Sequence, residues 1–96
     1  MKKLQSTESE LVGHWVSGDN GLHADETTKR IEWLVSGVLE KIADSPEGGA
    51  WETLFRDPED GRFWERTYPH GELQGGGPPR LTRISRQDAC AKYGVA

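Results

Sequence analysis

The clearest pattern along the chain has a period near 3.6. Ile31, Leu34, Val35, Val38, Leu39 and Ile42 fall at i, i+3, i+4, i+7, i+8 and i+11, which is one face of an α-helix. Asp25 precedes the run as an N-cap, and Glu26 places a carboxylate in the first turn, where unpaired N–H groups favour it. Lys41 falls in the last turn, and Pro46 forbids continuation. The pattern predicts one long amphipathic helix that carries the whole stripe.

The rest of the chain reads as strands and turns. Glu10 to Val16, ELVGHWV, is short, mostly apolar and rich in Val and Trp; it predicts a first strand that SGDNG ends. After the loop SPEGG, two strand-like runs flank Asp57-Pro58-Glu59-Asp60-Gly61, where every residue has turn chemistry. A loop from Pro58 to Gly61 sets Phe55 opposite Trp64, Thr53 opposite Arg66 and Trp51 opposite Tyr68. That register gathers every ring of the hairpin except Phe63 on one side, the natural seat for the helix. Pro79 to Ser85 predicts another strand, its prolines at the start, where a lost N–H does least harm. Ser85 and Asp88 fit a capping box that opens a short helix, and Gly94 ends it.

Together these elements predict an α+β domain. It has a small antiparallel sheet of about four strands, one main amphipathic helix packed on it, and a short C-terminal helix. Residues 1–9 are polar and aperiodic and are expected to be a flexible N-terminus, which leaves 10–96 as the single domain. Leu, Ile, Val and Phe number only 18 of 96, but four Trp and two Tyr add apolar area, and the net charge is only −4. The chain reads as folded.

Charge and cysteine content narrow the function classes. Residues 1–60 carry 13 acidic and 6 basic groups, and residues 61–96 carry 3 acidic and 6 basic. An acidic overall balance argues against direct nucleic-acid binding, which needs clustered Lys and Arg, and is compatible with a basic protein partner. Cys90 stands alone, and no apolar stretch reaches membrane-spanning length, so a cytoplasmic protein of a reducing compartment with no membrane partner is expected.

No chemical motif is complete. The run GGGPP, Gly75 to Pro79, leads into a strand-like segment with neither a Lys-Ser/Thr pair nor a helix start, so it reads as scaffold or partner surface rather than a phosphate loop. His14, His23, His70 and Cys90 show no ligand or dyad spacing, so no metal and no cofactor are expected. Glu52 or Glu65 with Arg66 and His70 is the one candidate catalytic set, of the kind a small ribonuclease-like hydrolase uses. In the preferred register, however, Glu65 and Arg66 point to opposite faces. Trp33 lies off the apolar stripe, beside Glu26 and Glu40, and either seats a crossing segment or anchors a partner.

The stretches RIEWL, GAWETLFRDPEDGRFWERTYP and GGGPPRL together resemble the immunity protein 27 family of bacterial polymorphic toxin systems, which includes immunity proteins of contact-dependent inhibition loci. The likeness runs from about Leu11 to Tyr93, with its core at Trp51 to Glu65. The resemblance implies a small cytoplasmic protein that binds and neutralises a cognate toxin domain, and it brings no catalytic residues. The acidic half suits a basic toxin such as a nuclease. Two surfaces are the candidate contacts: Trp33 ringed by Glu26 and Glu40 on the helix, and Asp57, Glu59 and Asp60 on the hairpin turn. A small hydrolase and a general protein-interaction module are the alternatives.

Overall fold

A computed structural model of the chain describes residues 1–18, 21–69 and 77–94. Its elements are β1 (Glu10–Val12), β2 (Trp15–Gly18), β3 (Gly21–Ala24), α1 (Glu26–Trp33), a π-helical turn (Leu34–Val38), β4 (Glu40–Ser45), β5 (Gly49–Arg56), β6 (Phe63–Thr67), β7 (Arg80–Ile84) and α2 (Arg86–Tyr93). Five strands form one antiparallel sheet in the order β1-β7-β6-β5-β4, and β2 pairs with β3 in a second, two-stranded sheet. The architecture is α+β.

The long helix predicted from the apolar stripe is cut in half. α1 opens as expected, with Asp25 Oδ1 accepting the Thr28 N–H at 2.7 Å. It ends at Trp33, and in the π-helical turn the Leu39 N–H donates to the Leu34 carbonyl at 2.7 Å. Leu39 is then extended (φ −85°, ψ 149°), and the chain continues as β4. Ser36 and Gly37 sit inside this turn: Ser36 Oγ donates to the Trp33 carbonyl at 3.2 Å, and Gly37 contributes no side chain to hold a helix. The stripe is thereby shared between the two faces of the sheet. Ile31, Leu34 and Leu39 enter one core, and Ile42 packs against the other.

The predicted first strand also divides. Gly13 donates its N–H to the Pro79 carbonyl at 2.9 Å, and a Cβ there would collide with that carbonyl and with Thr28 Oγ1. Only glycine lets the chain turn this close to α1. The segment before it joins β7 as an edge strand, and the segment after it becomes β2.

The hairpin of β5 and β6 has the expected register. Phe55 faces Trp64 and Thr53 faces Arg66, while the Trp51 and Tyr68 rings meet edge to face with centroids 5.3 Å apart. Phe55 and Trp64 lie in the core under α1, and Leu54 and Phe63 point the other way. There α2 covers them with Ala89 and Tyr93. α2 keeps both expected caps, with Ser85 Oγ accepting the Asp88 N–H at 3.0 Å and Gly94 left-handed (φ 69°).

The first nine residues, expected to fray, are tied to the body. Leu4 is buried in the core under α1. Arg30 donates to the Lys2 and Lys3 carbonyls, both at 2.9 Å, and holds the Glu8 carboxylate with two hydrogen bonds of 2.7 Å. Arg62 reaches the Glu8 and Gln5 carbonyls at 3.1 and 3.0 Å.

Two predictions follow from this packing. Leu34→Ala and Trp64→Ala each remove a fully buried side chain and should cost about 2–5 kcal/mol in chemical denaturation. The Arg30 guanidinium lowers the Glu8 carboxyl from 4.5 to about 2. A carboxyl depressed in the folded state stabilises above its unfolded value and loses that contribution as pH falls through its folded value. Stability should therefore decline from about pH 4.5 toward pH 2, and Arg30→Gln should remove this part of the acid sensitivity in denaturation curves taken across that range.

Candidate functional site

The hairpin turn was the most conspicuous acidic feature of the sequence, and the structure uses much of it internally. Asp57 is 2% exposed. Its carboxylate accepts the Glu59 N–H at 2.9 Å, its N–H donates to the Arg62 carbonyl at 2.9 Å, and its carbonyl accepts from Gly61 at 2.7 Å. Gly61 closes the turn at φ 78°. Asp57 is thus the residue that builds the turn and does not belong to its surface. Glu59 is exposed and pairs with Lys3 at 2.9 Å. Asp60 accepts from the Arg62 N–H at 2.9 Å and from Nε at 2.6 Å. Partial desolvation opposes ionisation of Asp60, but the Arg62 hydrogen bonds and the charges of Arg62 and Arg83 hold its carboxyl below the ordinary value.

Glu26 and Trp33, seven residues apart, stay on the same side of α1, but the helix ends before Glu40, so the three do not form a common face. Trp33 is half-buried and packs against the core under α1. Glu26 is exposed in the first turn of α1, 3.6 Å from Lys29. Glu40 opens β4, directly across from Arg56 on β5.

The candidate catalytic set is also divided. Glu65 faces α2, where it accepts from Tyr93 Oη at 2.7 Å and lies 2.6 Å from Lys92 Nζ, which also reaches Glu52 at 2.9 Å. Burial first, and then the bond to Glu65, push the Tyr93 phenol upward. Desolvation works against the Lys92 charge, but Glu65 and Glu52 outweigh it and raise its pKa. These four side chains clamp α2 to the sheet. Arg66 lies on the opposite face, donating to Thr53 Oγ1 at 3.1 Å, with its guanidinium 5.5 Å from the centres of the Phe55 and Tyr68 rings. His70 and residues 71–76 lie outside the described residues. Gly77, Pro78 and Pro79, which end the glycine–proline run, are buried. Among the described residues no group of three or more His, Cys, Asp or Glu could hold a metal ion.

Sequence reading overlooked a basic cleft at the turn end of the sheet. It has a volume of about 600 Å³ and is lined by Arg56, Arg62, Arg83 and Arg86, by the half-buried Ile42, Phe63 and Ile84, and by Asp60, Gly61 and Ser85. The arginines come from β5, the turn, β7 and the start of α2, so no short stretch announces them. The traces of the cleft in the sequence were the positive balance of residues 61–96 and the close spacing of Arg80, Arg83 and Arg86.

The comparisons with known proteins bear on what such surfaces serve. The family model for Immunity protein 27 matches residues 17–85. The chain belongs to the Immunity protein 27 family. No curated protein and no solved structure is matched. An immunity protein has a toxin as its partner, so its working surface is one that meets another protein. The span matched by Immunity protein 27 runs from β2 to the end of β7. It contains the whole hairpin turn and three of the four cleft arginines, and Arg86 is the next residue beyond it.

The division of labour within the turn is measurable. Asp57→Ala leaves the part-buried Glu59 N–H without its acceptor and should destabilise the protein by about 1–3 kcal/mol. Glu59→Ala removes only an exposed ion pair and should change stability by no more than about 1 kcal/mol. Thermal melts of the two variants should separate clearly.

Proposed function

We propose that this protein binds and neutralises a cognate toxin domain, in the cytoplasm of the producing cell and its siblings, by surface complementarity and without catalysing a reaction. The observation that carries this reading is membership of an immunity protein family across residues 17–85. The geometry of the strongest acid–base candidate supports it, since Glu65 is engaged by Lys92 and Tyr93 and Arg66 lies on the far side of the sheet. A carboxylate held between an ammonium and a phenol is committed to structure and poorly placed to move a substrate proton.

The net charge of −4 adds a long-range preference. A toxin that acts on nucleic acid must itself be basic to hold phosphates, and opposite net charges speed encounter between the two proteins. A nuclease toxin therefore fits the sign of this chain better than an acidic one. Fast capture suits an inhibitor that must reach its toxin before the toxin reaches its target.

The test is co-expression with the toxin domain encoded directly upstream. The chain should restore growth and co-purify with that domain, and the purified chain alone should leave RNA and DNA intact. Protection without a complex, or nucleic-acid cleavage by the purified chain that Glu65→Gln abolishes, would overturn the reading in favour of an enzyme.

A further inference from the structure

The cations of this protein are not used evenly. Among the described residues, Lys3, Lys29, Arg30, Lys41, Arg62, Arg80 and Lys92 each have a carboxylate within ion-pairing distance. Arg66 is engaged with Thr53 and two rings. Four cations have no such carboxylate among the described residues: Lys2, Arg56, Arg83 and Arg86. Three of those four line the single cleft at the turn end of the sheet. In a chain with more acidic than basic groups, three cations at one place without an ion-pairing carboxylate among the described residues are a specific arrangement. Asp60, the acidic residue of that lining, is hydrogen-bonded to Arg62 and feels Arg83 only at longer range.

We propose that the cleft formed by Arg56, Arg83 and Arg86 receives an acidic segment of the toxin domain; this rests on the immunity reading above and names the contact surface for it. Guanidinium groups form planar, paired hydrogen bonds with carboxylates. Those bonds strengthen where water is displaced, and the apolar surface of Ile42, Phe63 and Ile84 supplies a place to exclude it. The first turn of α2 opens beside the cleft at Ser85 and Arg86, which adds partial positive charge from its N–H groups. A volume of about 600 Å³ holds several side chains of a partner segment.

Carboxylates of a protein fit the cleft better than phosphates of a nucleic acid. The lining is part apolar, and it contains the Asp60 carboxylate, to which the Arg62 N–H and Nε donate hydrogen bonds. Glu40 stands across from Arg56 on the neighbouring strand. A fixed carboxylate in the lining, that of Asp60, would repel a continuous phosphate backbone but tolerate discrete carboxylates placed away from it. The acidic excess of the chain and the basic cleft then act at different ranges. Net charge steers the approach, most strongly at low salt, and the cleft governs the contact.

The experiment measures binding of the upstream-encoded toxin domain to the full chain at low and moderate salt. Arg56→Glu, Arg83→Glu and Arg86→Glu are combined in one variant. A control combines Lys2→Glu, Lys29→Glu and Lys41→Glu, which changes net charge equally outside the cleft. The cleft variant should raise Kd by about 100-fold or more, and the control by less than about tenfold. The milder Arg86→Gln, at an exposed helix start, should raise Kd about threefold to tenfold with the thermal melt unchanged. A toxin variant with the contacting carboxylates reversed to Lys should recover binding to the cleft variant. If the wild-type chain binds and both cleft variants bind equally well, the cleft proposal fails while the immunity reading stands. If the wild-type chain does not bind the toxin domain at all, the immunity reading itself fails. Binding of a single-stranded RNA 20-mer by the wild-type chain at moderate salt, lost in the cleft variant, would assign the cleft to nucleic acid instead.

Discussion

Two adjacent apolar pairs, Leu54–Phe55 on β5 and Phe63–Trp64 on β6, govern the design of this domain. Side chains alternate along a strand, so each pair sends one residue to each face of the sheet. In the observed register Phe55 sits beside Trp64 on one face, and Leu54 and Phe63 lie on the other. The centre of the sheet is therefore apolar on both sides, and both sides must be covered. α1, Leu4 and Leu39 cover one side, and α2 covers the other with Ala89 and Tyr93.

A chain of 96 residues has little material for two such layers. An α-helix of eight residues spans about 12 Å, whereas five strands side by side span about 19 Å between their outer axes. α2 cannot reach across, and Ile42, Phe63 and Ile84 stay half-buried where its cover runs out. The cleft is the direct consequence of that shortfall. On the opposite face the same shortage is met by the N-terminal segment, which Arg30 and Arg62 fasten through backbone carbonyls and Glu8. Most of the cationic side chains thus have a carboxylate or carbonyl partner, and three that have no carboxylate among the described residues, Arg56, Arg83 and Arg86, line the uncovered end.

The acidic turn shows why surface chemistry is difficult to read from sequence. Asp57, Glu59 and Asp60 are three carboxylates within four residues, and their position on a turn between β5 and β6 was legible from Pro58 and Gly61. Their availability was not. Asp57 turns inward to cap the loop, Asp60 is held by Arg62, and Glu59 finds Lys3 from the far end of the chain. Trp33 was legible as a residue off the apolar stripe, yet it lies half-buried against the core.

The sequence alone determined the features that close within a few residues or by simple alternation. These are the Asp25 and Ser85 caps, the Gly94 stop, the Asp57–Gly61 turn and the β5–β6 register. Each depends on hydrogen bonds between near neighbours or on the period of the backbone, and neither needs the rest of the molecule. Tertiary structure decided the fate of residues 39–45, where a helical apolar stripe competed with an open edge of β5 and lost. A strand there satisfies backbone groups of β5 and carries Ile42 to the face that α2 covers only in part, which a continued helix could not do. Tertiary structure also decided the anchoring of the N-terminus and the basic cleft. Both join residues from separate elements, so only the folded sheet brings them within reach of one another.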